Sequence, residues 1–159
     1  MAVGPFAASM PAPEPGCTSP LGQTIRDLAA GVLGPASADR DWHSRLRSLL
    51  GPLRAAFAEH RAATEGHDGL YADVVSDVPR MVNTVHVLVA EHDGLDSAIA
   101  RLATSADTLD ADALDAAALE ADLQALRRHT LDVVNGLTRH RQRDADLVYE
   151  AYTTDIGGE

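Results

Sequence analysis

Seven histidines are the side chains in this sequence best suited to chemistry, and three of them stand out by position. His60, His92 and His140 each fall on an apolar stripe with helical spacing, and the three stripes belong to separate segments. A single histidine in a core is usually a hydrogen-bonded packing residue. Three on three stripes instead favour a shared site, because neutral imidazoles are good ligands for first-row transition metals.

Acidic side chains accompany these histidines. The sequence places near them Glu65, Glu91, Asp96 and Asp144. Asp144 follows His140 by four residues and therefore lies on the next turn of the same helical face. A carboxylate buried without a cation or hydrogen bonds is costly, so a mixture of imidazoles and carboxylates predicts a bound metal ion. The alternative is that Glu65, Asp96 and Asp144 flank their stripes and are solvated.

The other four histidines are predicted not to share this site. His43 lies at the start of its helix, far from His60, and His129 lies about 16 Å along the helix from His140. His86 lies at the margin of its apolar stripe. His67 falls in a glycine-rich segment and reaches the site only if the helix unwinds there, so it is kept as a possible additional ligand with Asp96 and Glu91.

The elements that would position these residues are helices, because apolar residues recur at intervals of three and four from residue 21 onward. Four helices are predicted, from Leu21 to about residue 34, from Asp39 through His60, from Val78 through His92 to about residue 103, and from Leu119 through His140 to about residue 152. The second is expected to run on, with a distortion, beyond Gly66. The segment Ser76–Pro79 predicts a helix stop and restart, and residues 104–113 a connection.

No segment alternates with the period of two that a half-buried strand needs. The sequence therefore predicts an all-α protein, an antiparallel four-helix bundle with up-down-up-down connections. His60 and His92 lie at equal distances from residue 76, so in an antiparallel hairpin they face each other. The midpoint of His92 and His140 lies near residue 116, past the centre of the predicted connection, so the fourth helix must overhang.

Composition limits the classes of partner. The chain has 159 residues with 24 Asp and Glu against 13 basic residues, and its net charge is -11. We expect no nucleic-acid partner, because binding phosphates needs clustered cations. No apolar run approaches 18 residues, so no membrane partner is expected. A single Cys17 excludes a disulfide framework and a cysteine-based zinc site, which leaves nitrogen and oxygen as metal donors.

The chain divides into three parts by composition. Residues 1–20 contain five prolines and no targeting pattern, and predict a disordered arm of a cytoplasmic protein. Residues 21–152 form the predicted bundle, and residues 153–159 a short tail. No nucleophile elbow, phosphate-binding loop or dinucleotide fingerprint occurs, so a hydrolase or transferase has little support.

Three motifs together resemble a known family. The segment His60–Glu65, HRAATE, resembles the His-x-x-x-Glu-Glu pattern of the hemerythrin-like, or HHE cation-binding, family. The pair Glu91-His92 resembles the Glu-His of that family's next helix, and His140–Asp144, HRQRD, its second His-x-x-x-Glu. The likeness covers about residues 40–152, and the closing stretch 146–158 is similar to an actinobacterial branch. Known members of the family are four-helix bundles.

This resemblance implies a non-haem iron site of one or two ions, usually two in the family, that binds or senses O2, NO or peroxide, with His60, Glu65, His92, His140 and Asp144 as metal ligands. The sequence departs from the family pattern in having no histidine in its first helix and Thr64 in place of the first glutamate. Three histidines and two carboxylates suit one iron better than two. The alternative function is a metal-free, degenerate bundle that acts as a protein-interaction or regulatory module.

Overall fold

The computed structural model describes residues 19–33, 39–109 and 114–153, which form five α-helices and one 3-10 turn. The elements are α1 (Pro20–Leu33), α2 (Asp39–Glu65), α3 (Leu70–Asp77), the 3-10 turn Pro79–Met81, α4 (Val82–Thr108) and α5 (Ala116–Thr153). The described residues contain no β-strand, which confirms the all-α class. No described helix combines the length and apolar character needed to cross a membrane.

Side-chain caps fix two of the helix starts. The Ser19 hydroxyl accepts a hydrogen bond from the Gly22 amide at 3.1 Å, and Pro20 occupies the first position of α1, where no amide hydrogen is needed. The Asp115 carboxylate accepts from the Ala118 amide at 2.8 Å. Because Asp115 is this cap, α5 begins at Ala116, three residues before the predicted start at Leu119.

The expectation that the second helix runs on beyond Gly66 is wrong. α2 ends at Glu65 and a tight turn leads into the separate helix α3. A side chain at Gly69 would meet the carbonyl oxygen of Thr64 at 2.7 Å, so the turn is close enough to require glycine there. The predicted stop and restart at residues 76–79 is confirmed, since α3 ends at Asp77 and Pro79 begins the 3-10 turn.

The third predicted helix is longer than expected. Residues 104–113 were expected to be a connection, but α4 continues to Thr108. The hydroxyls of Thr104 and Thr108 donate to carbonyls four residues earlier, at 3.1 and 2.9 Å. Threonine can therefore satisfy its hydroxyl within a helix, which a prediction based on its low helix propensity does not register.

The four longer helices pack as neighbours in a ring, with α1 and α4 each lying against both α2 and α5. His43 near the start of α2 bonds with the Ala106 carbonyl near the end of α4, whereas Arg61 near the end of α2 pairs with Asp93 in the first half of α4. Contacts of this kind bring the last turns of α2, which carry His60, level with the first half of α4, which carries His92.

Buried apolar residues form two clusters. The large apolar cluster consists of Leu21, Ile25, Leu28, Trp42, Leu46, Leu50, Leu53, Ala56, Phe57, Ile99, Leu102, Ala106, Leu123, Leu126, Val133 and Leu137. The small apolar cluster consists of Tyr71, Val74, Val78, Met81, Val85, Leu88, Leu147 and Ala151. Along α5, His140 and Asp144 fall between Leu137 of one cluster and Leu147 of the other. The histidines therefore lie in a polar layer between two apolar ones.

The predicted arm and tail fall almost wholly outside the described residues. Of residues 1–20, the described Ser19 and Pro20 belong to the start of α1, and of residues 153–159, Thr153 ends α5. The described helices α1 to α5 correspond to the predicted bundle.

Candidate metal centre

Three imidazoles meet at one level of the helical ring. The Nε2 atoms of His60, His92 and His140 lie 3.2 Å (His60 to His92), 3.3 Å (His60 to His140) and 2.7 Å (His92 to His140) apart. Their rings cross nearly at right angles or at 63°, so the nitrogens meet edge to edge rather than by stacking. These three residues form a cluster that could hold a metal ion, and we call them the histidine cluster.

The size of the histidine cluster suits a first-row transition metal. The point equidistant from the three Nε2 atoms lies about 1.8 Å from each, close to the metal–nitrogen bonds of about 2.0–2.1 Å that such an ion would form with His60, His92 and His140. The three nitrogens therefore fit one metal ion.

Two rings of the histidine cluster contact carboxylates on their outer sides. His92 Nδ1 bonds with Glu65 Oε1, and His140 Nδ1 bonds with Glu91 Oε2 at 3.0 Å. An ionised carboxylate only accepts hydrogen bonds, so each Nδ1 carries the proton and donates it. A neutral ring with its proton on Nδ1 has its lone pair on Nε2, which points to the centre of the cluster.

Burial keeps these two rings neutral. His92 and His140 are almost completely buried, with side chains 0% and 1% exposed, whereas the His60 side chain is 18% exposed. Loss of solvation lowers the pKa of His92 and of His140, although the contacts with Glu65 and Asp144 oppose the shift. Neutral imidazole is the form that binds metals. The rings of His92 and His140 therefore need not release a proton before a metal ion binds.

Asp144 adds a buried oxygen beside the histidine cluster. Its Oδ2 atom lies 3.1 Å from His60 Nε2 and 3.4 Å from His140 Nε2, and has no hydrogen-bond partner. Its Oδ1 atom accepts a hydrogen bond from the Tyr71 hydroxyl at 2.5 Å. A buried carboxylate oxygen without a partner is costly, and a cation at the cluster would satisfy it.

The Tyr71 hydroxyl and the rings keep Asp144 ionised. Burial raises the pKa of Asp144, but the nearby His60 and His140 rings and the hydrogen bond from Tyr71 outweigh burial and leave that pKa below its ordinary value. Burial and the bond to Asp144 raise the pKa of Tyr71, so the phenol remains a donor. The centre therefore offers the nitrogens of three imidazoles and one negative oxygen.

Aromatic and small side chains surround the rest of the centre. Phe57 packs edge-on against His92 with ring centroids 5.7 Å apart, and Tyr71 stacks on the same ring at 5.9 Å. Beside His60, the partly exposed ring, lies a cavity of about 270 Å³ lined by Ser19, Pro20, Leu21, Ala56, Glu59, His60 and Ala63. This cavity is the space from which a small molecule could approach His60.

The structure brings together some of the predicted site residues and separates others. His60, His92, His140 and Asp144 meet, while Glu65 and Glu91 lie behind the rings of His92 and His140. Two possible additional ligands lie elsewhere. Asp96 is exposed, because the apolar stripe of α4 passes through Leu95 and Ile99, and His67 is fully exposed beside Asp68 in the turn after α2.

The three remaining histidines lie apart from the cluster. His43 is buried and bonds through Nε2 to the Ala106 carbonyl oxygen at 2.7 Å, so it is a packing residue with a satisfied ring. His86 and His129 are exposed on α4 and α5. The structure therefore separates the seven histidines into three that share a centre and four that do not.

Sequence reasoning missed three residues around the centre. Tyr71 donates to Asp144, Arg61 bonds with Glu65 and Asp93, and Arg143 pairs with Glu91. Tyr71 lies on an apolar stripe with Val74, which indicates that its ring is buried. A buried tyrosine hydroxyl needs a hydrogen-bond partner, so the sequence could have predicted one. For Arg61 the signal was its spacing of four from Glu65. The Arg143–Glu91 pair joins two helices and has no local signal.

No family model, curated protein or solved structure matches this chain. What the chain does must therefore be inferred from its own centre.

Proposed function

We propose that this protein is a hemerythrin-like bundle that binds one non-haem iron ion through His60, His92, His140 and Asp144. The observation that carries the proposal is the convergence of three Nε2 atoms within 3.3 Å of one another, beside a buried carboxylate oxygen that lacks a hydrogen-bond partner. Nitrogen and oxygen donors of this kind suit iron, and also zinc, copper and nickel. The choice of iron rests on the family resemblance.

The contacts of the acidic residues favour one ion over two. Among the carboxylates in the described part of the chain, Asp144 is the one with an oxygen within 3.4 Å of the inner nitrogens. Glu65 and Glu91 already accept from the outer nitrogens and bond with arginines. A second ion would have to draw one of them away from its ring, at the cost of that ring's orientation.

The helix contacts support an antiparallel, up-down-up-down arrangement. Between α2 and α4, His43 pairs with Ala106 and Arg61 pairs with Asp93. Later residues of α2 therefore contact earlier residues of α4, as in antiparallel helices. From α4 to α5, Glu91 pairs with Arg143, and a side chain at Gly136 would contact Leu95. Bundles with this topology commonly hold metals between facing helices.

The cavity beside His60 favours a small ligand. Bound iron supplies a coordination position at which O2, NO or peroxide binds. A space of about 270 Å³ admits such molecules, and it lies next to the one ring of the histidine cluster that is partly exposed. The role we propose is therefore binding or sensing of O2, NO or peroxide, without nucleic acid or a membrane as partner.

Metal content tests the proposal directly. The metal-stripped protein is titrated with Fe(II) without oxygen, and bound iron, zinc, manganese and copper are measured by elemental analysis, also in protein as purified. We expect about one iron per chain in wild type and almost none in the triple variant His60→Ala, His92→Ala, His140→Ala. The matched control is His43→Ala, His86→Ala, His129→Ala, which removes three histidines outside the cluster and should keep the metal.

Three results would overturn the proposal in whole or in part. Less than about 0.1 metal per chain in reconstituted wild type would favour the metal-free interaction or regulatory module. Equal metal content in the two triple variants would place the ion elsewhere. Stoichiometric zinc with exclusion of Fe(II) would keep the centre and reject iron, and with it the binding of O2 or NO. Optical spectra of the Fe(II) protein with and without NO then test the ligand.

A further inference from the structure

We propose that Glu65 and Glu91 are positioning residues that fix the tautomers of His92 and His140, and thereby make the centre ready for a metal before it arrives. This inference deepens the proposed function and rests on it for the metal. The tautomers themselves are a property of the protein without metal, so they can be tested separately.

The geometry at each ring supports the assignment. Glu65 Oε1 contacts His92 Nδ1, and Glu91 Oε2 lies 3.0 Å from His140 Nδ1. Both contacts are on the side of the ring opposite to the inner Nε2 atom. Which nitrogen of a neutral imidazole carries the proton is set by the hydrogen bond that the other nitrogen makes. Each carboxylate therefore holds the proton on Nδ1 and leaves the lone pair of Nε2 free to bind a metal ion.

Arginines hold both carboxylates in place. Arg61 donates to Glu65 from Nε at 3.2 Å, and its Nη2 atom donates to Asp93 at 2.9 Å. Arg143 pairs with the second oxygen of Glu91. Glu65 and Glu91 are only about one-quarter exposed, so these pairs are partly shielded from solvent. A carboxylate fixed by a second partner orients the ring more strictly than a free one does.

The supports follow a regular order around the ring of helices. Glu65 of α2 supports His92 of α4, and Glu91 of α4 supports His140 of α5. α2 and α4 thus each supply one ring to the centre and one carboxylate to the ring of another helix, and α5 supplies the third ring. Sequence spacing agrees with this role. Glu65 follows His60 by five residues, or about 140° around α2, so it faces away from the direction of its own histidine.

Without these carboxylates the centre would be harder to load. The three Nε2 atoms are within 3.3 Å of one another, so a proton on any of them occupies the space of the metal. A ring released from its carboxylate can place its proton on Nε2 and donate to a neighbouring ring. That proton must then be lost or moved before the metal binds. Removing an outer partner of a ligand histidine typically weakens metal binding about 10–100-fold.

The first test reads the tautomers by NMR in metal-free, 15N-histidine-labelled protein. In wild type we expect His92 and His140 to carry their protons on Nδ1. Glu65→Ala should move the proton to Nε2 in His92 alone, and Glu91→Ala in His140 alone. Glu65→Gln and Glu91→Gln keep an oxygen acceptor and should keep the native tautomers. The control is Glu120→Ala, which removes an exposed glutamate that bonds only within α5.

The second test measures Fe(II) affinity of the same variants by competition with a chelator. Each alanine variant should bind about 10–100-fold more weakly than wild type, the glutamine variants should lie between, and Glu120→Ala should match wild type. Nε2-protonated rings in wild type, or native tautomers in both alanine variants, would overturn the positioning role. Shifted tautomers with unchanged affinity would overturn its link to the metal. If wild type has the expected tautomers but binds no metal, the proposed function fails and the positioning role stands.

Discussion

Two regions of this molecule bury histidine in opposite ways. His43 is buried and bonds through Nε2 to the carbonyl oxygen of Ala106, a residue of the large apolar cluster. A few turns away, His60, His92 and His140 face one another and a carboxylate oxygen that has no hydrogen-bond partner. The first arrangement is complete as it stands, whereas the second could hold a cation, as the proposed function requires.

The difference shows how to separate a packing histidine from a ligand. Ala106 lies in the last turn of α4, where carbonyls lack partners within the helix, so the His43 ring satisfies a group that the helix end leaves open. In the histidine cluster the outer nitrogens of His92 and His140 bond with glutamates, and their inner nitrogens face each other and His60 at 2.7 to 3.3 Å. Convergence of ring nitrogens, rather than burial, distinguishes a ligand from a packing residue.

Shortening a side chain in the large apolar cluster should reduce stability and leave the centre intact. Leu102 is completely buried, and Leu102→Ala should lower the free energy of unfolding by about 2–5 kcal/mol. Urea unfolding measures this loss, and Fe(II) stoichiometry of the folded variant should match wild type. Val87→Ala, at an exposed position of α4, is the control and should change stability by less than about 0.5 kcal/mol. Loss of the metal from folded Leu102→Ala would mean that the two regions are not separable.

Replacing His43 should also reduce stability, by less than Leu102→Ala does, and should leave metal binding intact. His43→Leu leaves the Ala106 carbonyl buried without a donor, which should cost about 1–3 kcal/mol of stability. His43→Gln retains a donor and should cost less. Thermal unfolding measures the loss of stability, and elemental analysis of the same variants measures whether the metal is retained. A drop in metal content for either variant would make His43 part of the centre.

The smallest expected effect concerns the hydrogen bond from Tyr71 to Asp144 at the histidine cluster. Tyr71→Phe removes one hydroxyl from Asp144 and retains the ring that stacks on His92. One hydrogen bond is worth about 0.5–1.5 kcal/mol, so Fe(II) affinity should fall about two- to tenfold. Chelator competition measures this change, and Tyr149→Phe, at an exposed position of α5, is the matched control. An unchanged affinity would show that Asp144 needs no support from Tyr71.

Much of the helix pattern could be read from the sequence. Apolar periodicity predicted the all-α class, and Pro79 marked the restart after α3. The predicted helix boundaries are wrong where local hydrogen bonds or close turns determine where a helix ends. Thr104 and Thr108 extend α4 because each hydroxyl finds a carbonyl within the helix, and α2 stops at Glu65 because Gly69 permits a close turn. Neither effect changes the apolar period.

The inner residues of the centre were also predictable, because helical phase puts His140 and Asp144 on one face. The outer contacts were not. Whether a glutamate reaches the inner or the outer nitrogen of a ring depends on how far apart two helices pack, which spacing along one helix does not give. Asp96 shows a related limit. It is one residue off the stripe that passes through Leu95, and that single step of 100° puts it in solvent.

The order of the ligands along the chain has a consequence for biosynthesis. The rings at positions 60, 92 and 140 come from segments separated by 32 and 48 residues. During translation His60 and His92 emerge well before His140 and Asp144, so a nascent chain exposes two rings but cannot complete the centre. Under the proposed function, capture of the metal would therefore wait until α5 has docked, and a loaded centre would report that α2, α4 and α5 have assembled.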